Sequence, residues 1–136
     1  MTYTPAEIRA MRAEAERLGL WDRESLDDAD HAAQVCNGIG ADWMPAVMRS
    51  LADVLNPAMK IPAAIHDVAY AAGGDDNDRR AADLIFHTNT LVVIDDLYAW
   101  YDPRRYIMRR RAGRYYDYLR AFGGKAFAYG GRHDDL

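Results

Sequence analysis

Two consecutive glycines, Gly73-Gly74, run directly into four residues suited to capping, Asp75-Asp76-Asn77-Asp78. A helix stop followed at once by a helix start makes two helices meet at one break. The segment before the break reads Ile65-His66-Asp67-Val68-Ala69-Tyr70, opened by Pro62, and the segment after it carries Ala82-Asp83-Leu84-Ile85-Phe86 and runs to about residue 101. On a helix, His66 and Tyr70 are four apart and Asp67 and Tyr70 three apart. One wall therefore presents an imidazole, a carboxylate and a phenol, and Asp83 arrives from the next helix.

The rest of the chain has the same helical grammar. Thr4-Pro5-Ala6-Glu7 supplies an N-cap, a proline at the first helical position and a capping glutamate. Ile8, Met11, Ala15 and Leu18 follow as an apolar stripe that Gly19 stops. A weaker helix is expected over 25–36, broken by Asn37-Gly38. Another spans about 43–55, with Trp43, Val47, Met48, Leu51 and Val54 at helical spacing, and ends at Asn56-Pro57. Asp102-Pro103 separates the long helix from a last one, rich in Arg and Tyr, that runs to about Phe122. No stretch keeps a period-two alternation between turn residues, and β-branched Val92, Val93 and Ile94 sit inside a helical frame. The fold class is all-α: one domain over 1–122, and a glycine-rich tail over 123–136 that is expected to be flexible.

With 136 residues, half of them hydrophobic, the chain suits one small core. Cys36 is the single cysteine, which excludes an internal disulfide and a cysteine-based zinc site. No apolar run approaches a membrane span and the N-terminus lacks a signal-peptide core, so synthesis in the cytoplasm without a leader is expected. Charge is uneven: residues 1–78 hold 6 basic and 14 acidic side chains, residues 79–136 hold 11 and 7. The C-terminal part is the one expected to meet phosphates or acidic groups.

Ester hydrolysis needs a group near pKa 7 to deprotonate water, and positive charge where the oxyanion develops. An imidazole oriented by a carboxylate serves the first need, and a hard cation on oxygen ligands serves the second. Cys36-Asn37-Gly38-Ile39-Gly40 could turn main-chain carbonyls towards Asp67. As isolated features, a His-Asp pair is more often solvated than catalytic, Asp83 could simply pair with Arg79 or Arg80, and Asn-Gly describes any tight turn.

The joint pattern of His66-Asp67-x-x-Tyr70 with Ala82-Asp83-x-x-Phe86, behind a glycine turn, resembles the core of the phospholipase A2-like superfamily, in the style of its small prokaryotic and phage-encoded members. The resemblance covers about residues 36–90. It implies a Ca²⁺-dependent phospholipid ester hydrolase with His66 as base to water, Asp83 buttressing His66, and Tyr70 bonded to that acid. It further implies Ca²⁺ held by Asp67 and by the carbonyls of Cys36, Gly38 and Gly40. The chain departs from the secreted members in lacking the disulfides that flank the His-Asp pair, and in a longer interval, containing a whole helix, between Gly40 and His66. The alternative is a non-catalytic interaction protein on the same fold, a component of a phage or phage-like particle.

Arg104, Arg105, Arg109, Arg110, Arg111 and Arg114, interleaved with Tyr106, Tyr115, Tyr116 and Tyr118, form a candidate surface for a protein partner or a phosphate-bearing surface in a larger assembly. Only Asp102 and Asp117 lie close enough in sequence to offset these charges; the bland reading is a solvated helix face. Core packing is the default expectation for Trp21, Trp43 and Trp100. His31, His87 and His133 lack ligand spacing and receive no role.

Overall fold

The structure is a computed structural model that describes residues 3–36 and 44–130. Its α-helices are α1 (Pro5–Leu18), α2 (Ala29–Val35), α3 (Ala46–Leu55), α4 (Lys60–Ala72), α5 (Asp76–Leu97) and α6 (Pro103–Phe122), with single 3₁₀ turns at Arg23–Leu26 and Gly123–Lys125. Among the described residues there is no β-strand, and the chain is all-α. None of the described helices is long and apolar enough to cross a membrane.

Local chemistry explains most of the boundaries. Thr4 Oγ1 accepts from Glu7 N at 3.1 Å while Glu7 Oε1 accepts from Thr4 N at 3.0 Å, closing a capping box on α1. Such a cap is worth about 1 kcal/mol. Gly19 ends α1 in the left-handed region at φ 67°. The break between α4 and α5 is built as its sequence suggests: Gly73 has φ 72° and Gly74 φ 133°. Asp75 and Asp78 then exchange side-chain-to-backbone hydrogen bonds, both at 3.0 Å. A Cβ on Gly74 would run into the Asp78 carboxylate that makes this cap. Asp102 caps α6 by accepting from Arg104 N at 2.9 Å.

Helix α5 is central, packed against α4 on one side and α6 on the other, with α3 resting on α6 and α1 on α2. The core is filled by Ile8, Leu20, Leu26, Met48, Leu55, Ile65, Ile94 and Leu119, all fully buried. Asn89, also fully buried, reads the backbone of Trp21: Oδ1 accepts from Trp21 N at 2.8 Å and Nδ2 donates to Trp21 O at 2.9 Å. An irregular turn is thereby bonded to the middle of α5, where its peptide groups would otherwise be unsatisfied.

Several expectations change. The weak helix over 25–36 divides into a 3₁₀ turn and α2, because Asp28 caps afresh by accepting from His31 N. Helix α4 begins at Lys60, with Pro62 inside its first turn, and α5 ends at Leu97 where Tyr98 becomes extended. Trp21 and Trp100 are not core residues, being 64% and 72% exposed. Each follows a helix end, so the turn and not an apolar stripe sets its direction. On α3, Met48 and Leu55 are buried while Val47 and Val54 lie on the rim. Trp43 is outside the described residues.

The tail is corrected as well. Residues 123–130 turn back onto α4: Ala128 N donates to Tyr70 O at 3.2 Å, Gly74 N to Ala128 O at 3.2 Å and Gly130 N to Gly74 O at 3.0 Å. Ala126, Phe127 and Ala128 are buried, the first two packing with Tyr70 and Ala82. The carbonyls left over at the end of α4 supply the partners that an isolated glycine-rich segment lacks. Residues 131–136 lie outside the described part.

Candidate active site

The αα break places the expected trio together. His66 Nε2 lies 2.8 Å from Asp83 Oδ1, and the Tyr70 hydroxyl donates to the same oxygen at 2.6 Å. Asp83 is fully buried and His66 is 8% exposed, walled by Tyr70 and Phe86 at ring-centroid distances of 4.0 and 5.1 Å. An ionised Asp83 can only accept, so Nε2 carries the imidazole hydrogen and the lone pair of the neutral ring sits on Nδ1. Nδ1 has no partner among the described residues.

A buried carboxylate is costly unless it is paired. Two arginines pair it. Arg120 Nη1 from α6 reaches Asp83 Oδ2 at 2.5 Å, and Arg79 Nε, one turn back on α5, lies 3.8 Å from the same oxygen. Burial pushes the Asp83 pKa up, and the His66 and Tyr70 hydrogen bonds with the Arg120 guanidinium outweigh it, leaving the carboxyl below its ordinary value. Asp83 is therefore a permanent anion at neutral pH. Burial, with the bond to Asp83, keeps the Tyr70 phenol protonated well above its usual range. Arg79 is itself buried, donating from Nη2 to the carbonyls of Leu119 and Arg120 at 3.0 and 2.8 Å.

Asp67 sits one residue on from the base in a different setting. It is partly buried and has no hydrogen-bond or ion-pair partner among the described residues. Desolvation lifts its pKa to about 7. Its charge is felt at Cys36, Tyr3 and Tyr115. The Cys36 thiol is pushed up to about 12 by burial and then by Asp67, and donates to Ala64 O at 3.2 Å, so it is neither nucleophile nor ligand. Its carbonyl, at the end of α2, remains the candidate oxygen.

An unpaired, desolvated carboxylate suits a hard cation with oxygen ligands. The donor set is incomplete among the described residues: Gly38 and Gly40 lie outside them, and no group of three His, Cys, Asp or Glu side chains gathers in the rest.

Comparison with family models, with curated proteins and with solved structures gives no match. The likeness to phospholipase A2 enzymes rests on the residues alone.

Sequence reasoning missed Arg120, which no local pattern links to Asp83, and treated Arg79 as a rival explanation for Asp83 when it is part of the same cluster. The arginines of α6 also divide. Arg104 pairs with Asp102 at 2.7 Å, while Arg105 and Arg109 pair with Asp95 of α5 at 3.0 and 2.7 Å. Arg110, Arg111 and Arg114 have no ion pair among the described residues. Two clefts of about 200 and 220 Å³ lie between α1 and the start of α4, sharing Glu14, Lys60 and Ile61, away from His66.

Proposed function

We propose that this chain is a phospholipase A2-type hydrolase of phospholipid carboxylic esters, in which His66 is the general base to water. The observation that carries the reading is the His66–Asp83 bond, made through Nε2 and leaving Nδ1 without a described partner. A water at Nδ1 would give up its proton there as its oxygen attacks the ester carbonyl, and the same proton would pass on to the leaving alkoxide. The imidazolium formed in between is stabilised by Asp83, which stays ionised because Arg120 and Tyr70 hold its charge. Ca²⁺ on Asp67 and the Cys36 carbonyl, with Gly38 and Gly40 as further candidates, would supply positive charge to the carbonyl oxygen as it becomes negative. The lipid as substrate comes from the likeness of the motif.

A second reading has its own observation. Trp100 and Tyr101 are 72% and 73% exposed just before α6, the Tyr106 hydroxyl donates to the Trp100 carbonyl at 2.7 Å, and Ile107 is exposed one turn into that helix, whose Arg110, Arg111 and Arg114 lack counter-charges among the described residues. Such a face fits an interaction protein on this scaffold, a component of a phage-like particle.

Hydrolysis of mixed phospholipid vesicles, with calcium and with a calcium chelator, separates the two. Turnover that disappears with chelator and with His66→Gln supports the hydrolase. Inactive wild-type protein in saturating calcium ends that reading and leaves the scaffold.

A further inference from the structure

The buried trio is closed on its α6 side by a segment with no side chain of its own at the point of contact. Gly123 begins the 3₁₀ turn after α6 with φ −69° and ψ −12°, an ordinary right-handed conformation that any residue adopts. Its being glycine is a matter of space. A Cβ at 123 would stand 2.9 Å from the Tyr70 hydroxyl oxygen, 3.1 Å from Leu119 Cδ1 and 3.5 Å from Arg79 Nη2. A Cβ at 124 would meet Arg79 Nη1 at 3.4 Å. Immediately beyond, Phe127 is 3% exposed and meets the Tyr70 ring edge-on at 5.1 Å, while Ala128 N holds the Tyr70 carbonyl. Tyr70 is thus held at its ring by Phe127 and at its backbone by Ala128, while its hydroxyl donates to Asp83, accepts from Arg79 Nε at 3.3 Å, and lies where a side chain at 123 would press on it.

We propose that Gly123 and Phe127 are positioning residues for the His66–Asp83 pair, acting through Tyr70. The chain has no disulfide available to brace α4 and α5, and the returning segment fixes the phenol by contact instead. A bonded carboxylate oxygen holds its direction only while its donors are fixed, so a displaced phenol lets Asp83, and with it the imidazole, turn. Only the kinetic part of this inference rests on the hydrolase reading.

The test uses full-length protein with ¹³Cζ-labelled tyrosine, the Tyr70 signal assigned with Tyr70→Phe. Gly123→Ala is compared with Gly113→Ala, a helical glycine whose added Cβ meets nothing within 4 Å. Expected for Gly123→Ala is a displaced Tyr70 Cζ resonance, a displaced His66 imidazole resonance, and kcat on phospholipid micelles lowered about tenfold at unchanged KM. Gly113→Ala should leave all three as in wild type. Phe127→Leu, which keeps an apolar side chain but removes the edge-on ring, should move the same two resonances if Gly123→Ala fails to fold. Unmoved Tyr70 and His66 signals in either folded variant would overturn the proposal. Moved signals in a protein that hydrolyses nothing would uphold the positioning and overturn the hydrolase reading.

Discussion

Replacing Asp83 with Asn removes one negative charge from a fully buried site and little else. The carboxylate accepts from His66 at 2.8 Å and Tyr70 at 2.6 Å through one oxygen, and faces Arg120 at 2.5 Å and Arg79 at 3.8 Å through the other. An Asn can keep its oxygen towards His66 and Tyr70, but then its NH₂ confronts the Arg120 guanidinium, donor against donor. Breaking a buried ion pair by removing one partner costs about 3–5 kcal/mol. The Arg120 side chain is 27% exposed and can turn part-way to water, which argues for the lower end, about 3 kcal/mol. Urea denaturation checks this directly: at pH 7 the midpoint should fall by roughly 1.5–2 M at unchanged slope. The pH dependence has a definite sign. The folded pKa of Asp83 is depressed, so its stabilisation is present above the unfolded carboxyl value and is lost as pH falls through the folded one. Wild type and Asp83→Asn should therefore converge in acid, below about pH 3.8. A loss under about 1 kcal/mol at pH 7, or a gap that stays constant into acid, would refute the account of Asp83 as an anion locked by arginine.

Asp67 should behave in the opposite sense. Its folded pKa is raised to about 7, so stability is full below the unfolded carboxyl value and declines as pH rises towards 7. Asp67→Asn should then stabilise calcium-free protein at pH 7.5 by roughly 2–4 kcal/mol, and thermal denaturation should show calcium raising the wild-type Tm but not the variant's. Asn89→Leu leaves both backbone groups of Trp21 without their partners, and chemical denaturation should show a loss of about 3 kcal/mol. In hydrogen exchange on the isolated protein, the amides of Gly74, Ala128 and Gly130 should be slow, because each donates to a carbonyl across the junction of α4 and the returning segment; fast exchange at Ala128 would mean the segment does not hold Tyr70.

The helices and their ends were legible in the chain because capping is local. Thr4 with Glu7, Asp75 with Asp78, and Asp102 before Pro103 act over two or three residues, and Gly73-Gly74 needs only its own freedom at positive φ. That same short break made the meeting of His66, Tyr70 and Asp83 legible, since two helices joined at 73–75 bring residues about equally far on either side face to face. Where no short break fixes the geometry, the sequence was silent. Arg120 is 37 positions from Asp83, and Asn89 is 68 from Trp21. Their chemistry as lone residues, an exposed cation and a mid-helix amide, points to the surface and to nothing specific. The arginines of α6 read alike in sequence and were separated by the packing of α5, which put Asp95 beside two of them and left others bare. Only the tertiary structure decided that residues 126–128 are buried, because they pack on Tyr70 and the end of α4, where Ala128 N donates to the Tyr70 carbonyl, and a pattern of glycines carries no record of which carbonyls will be near.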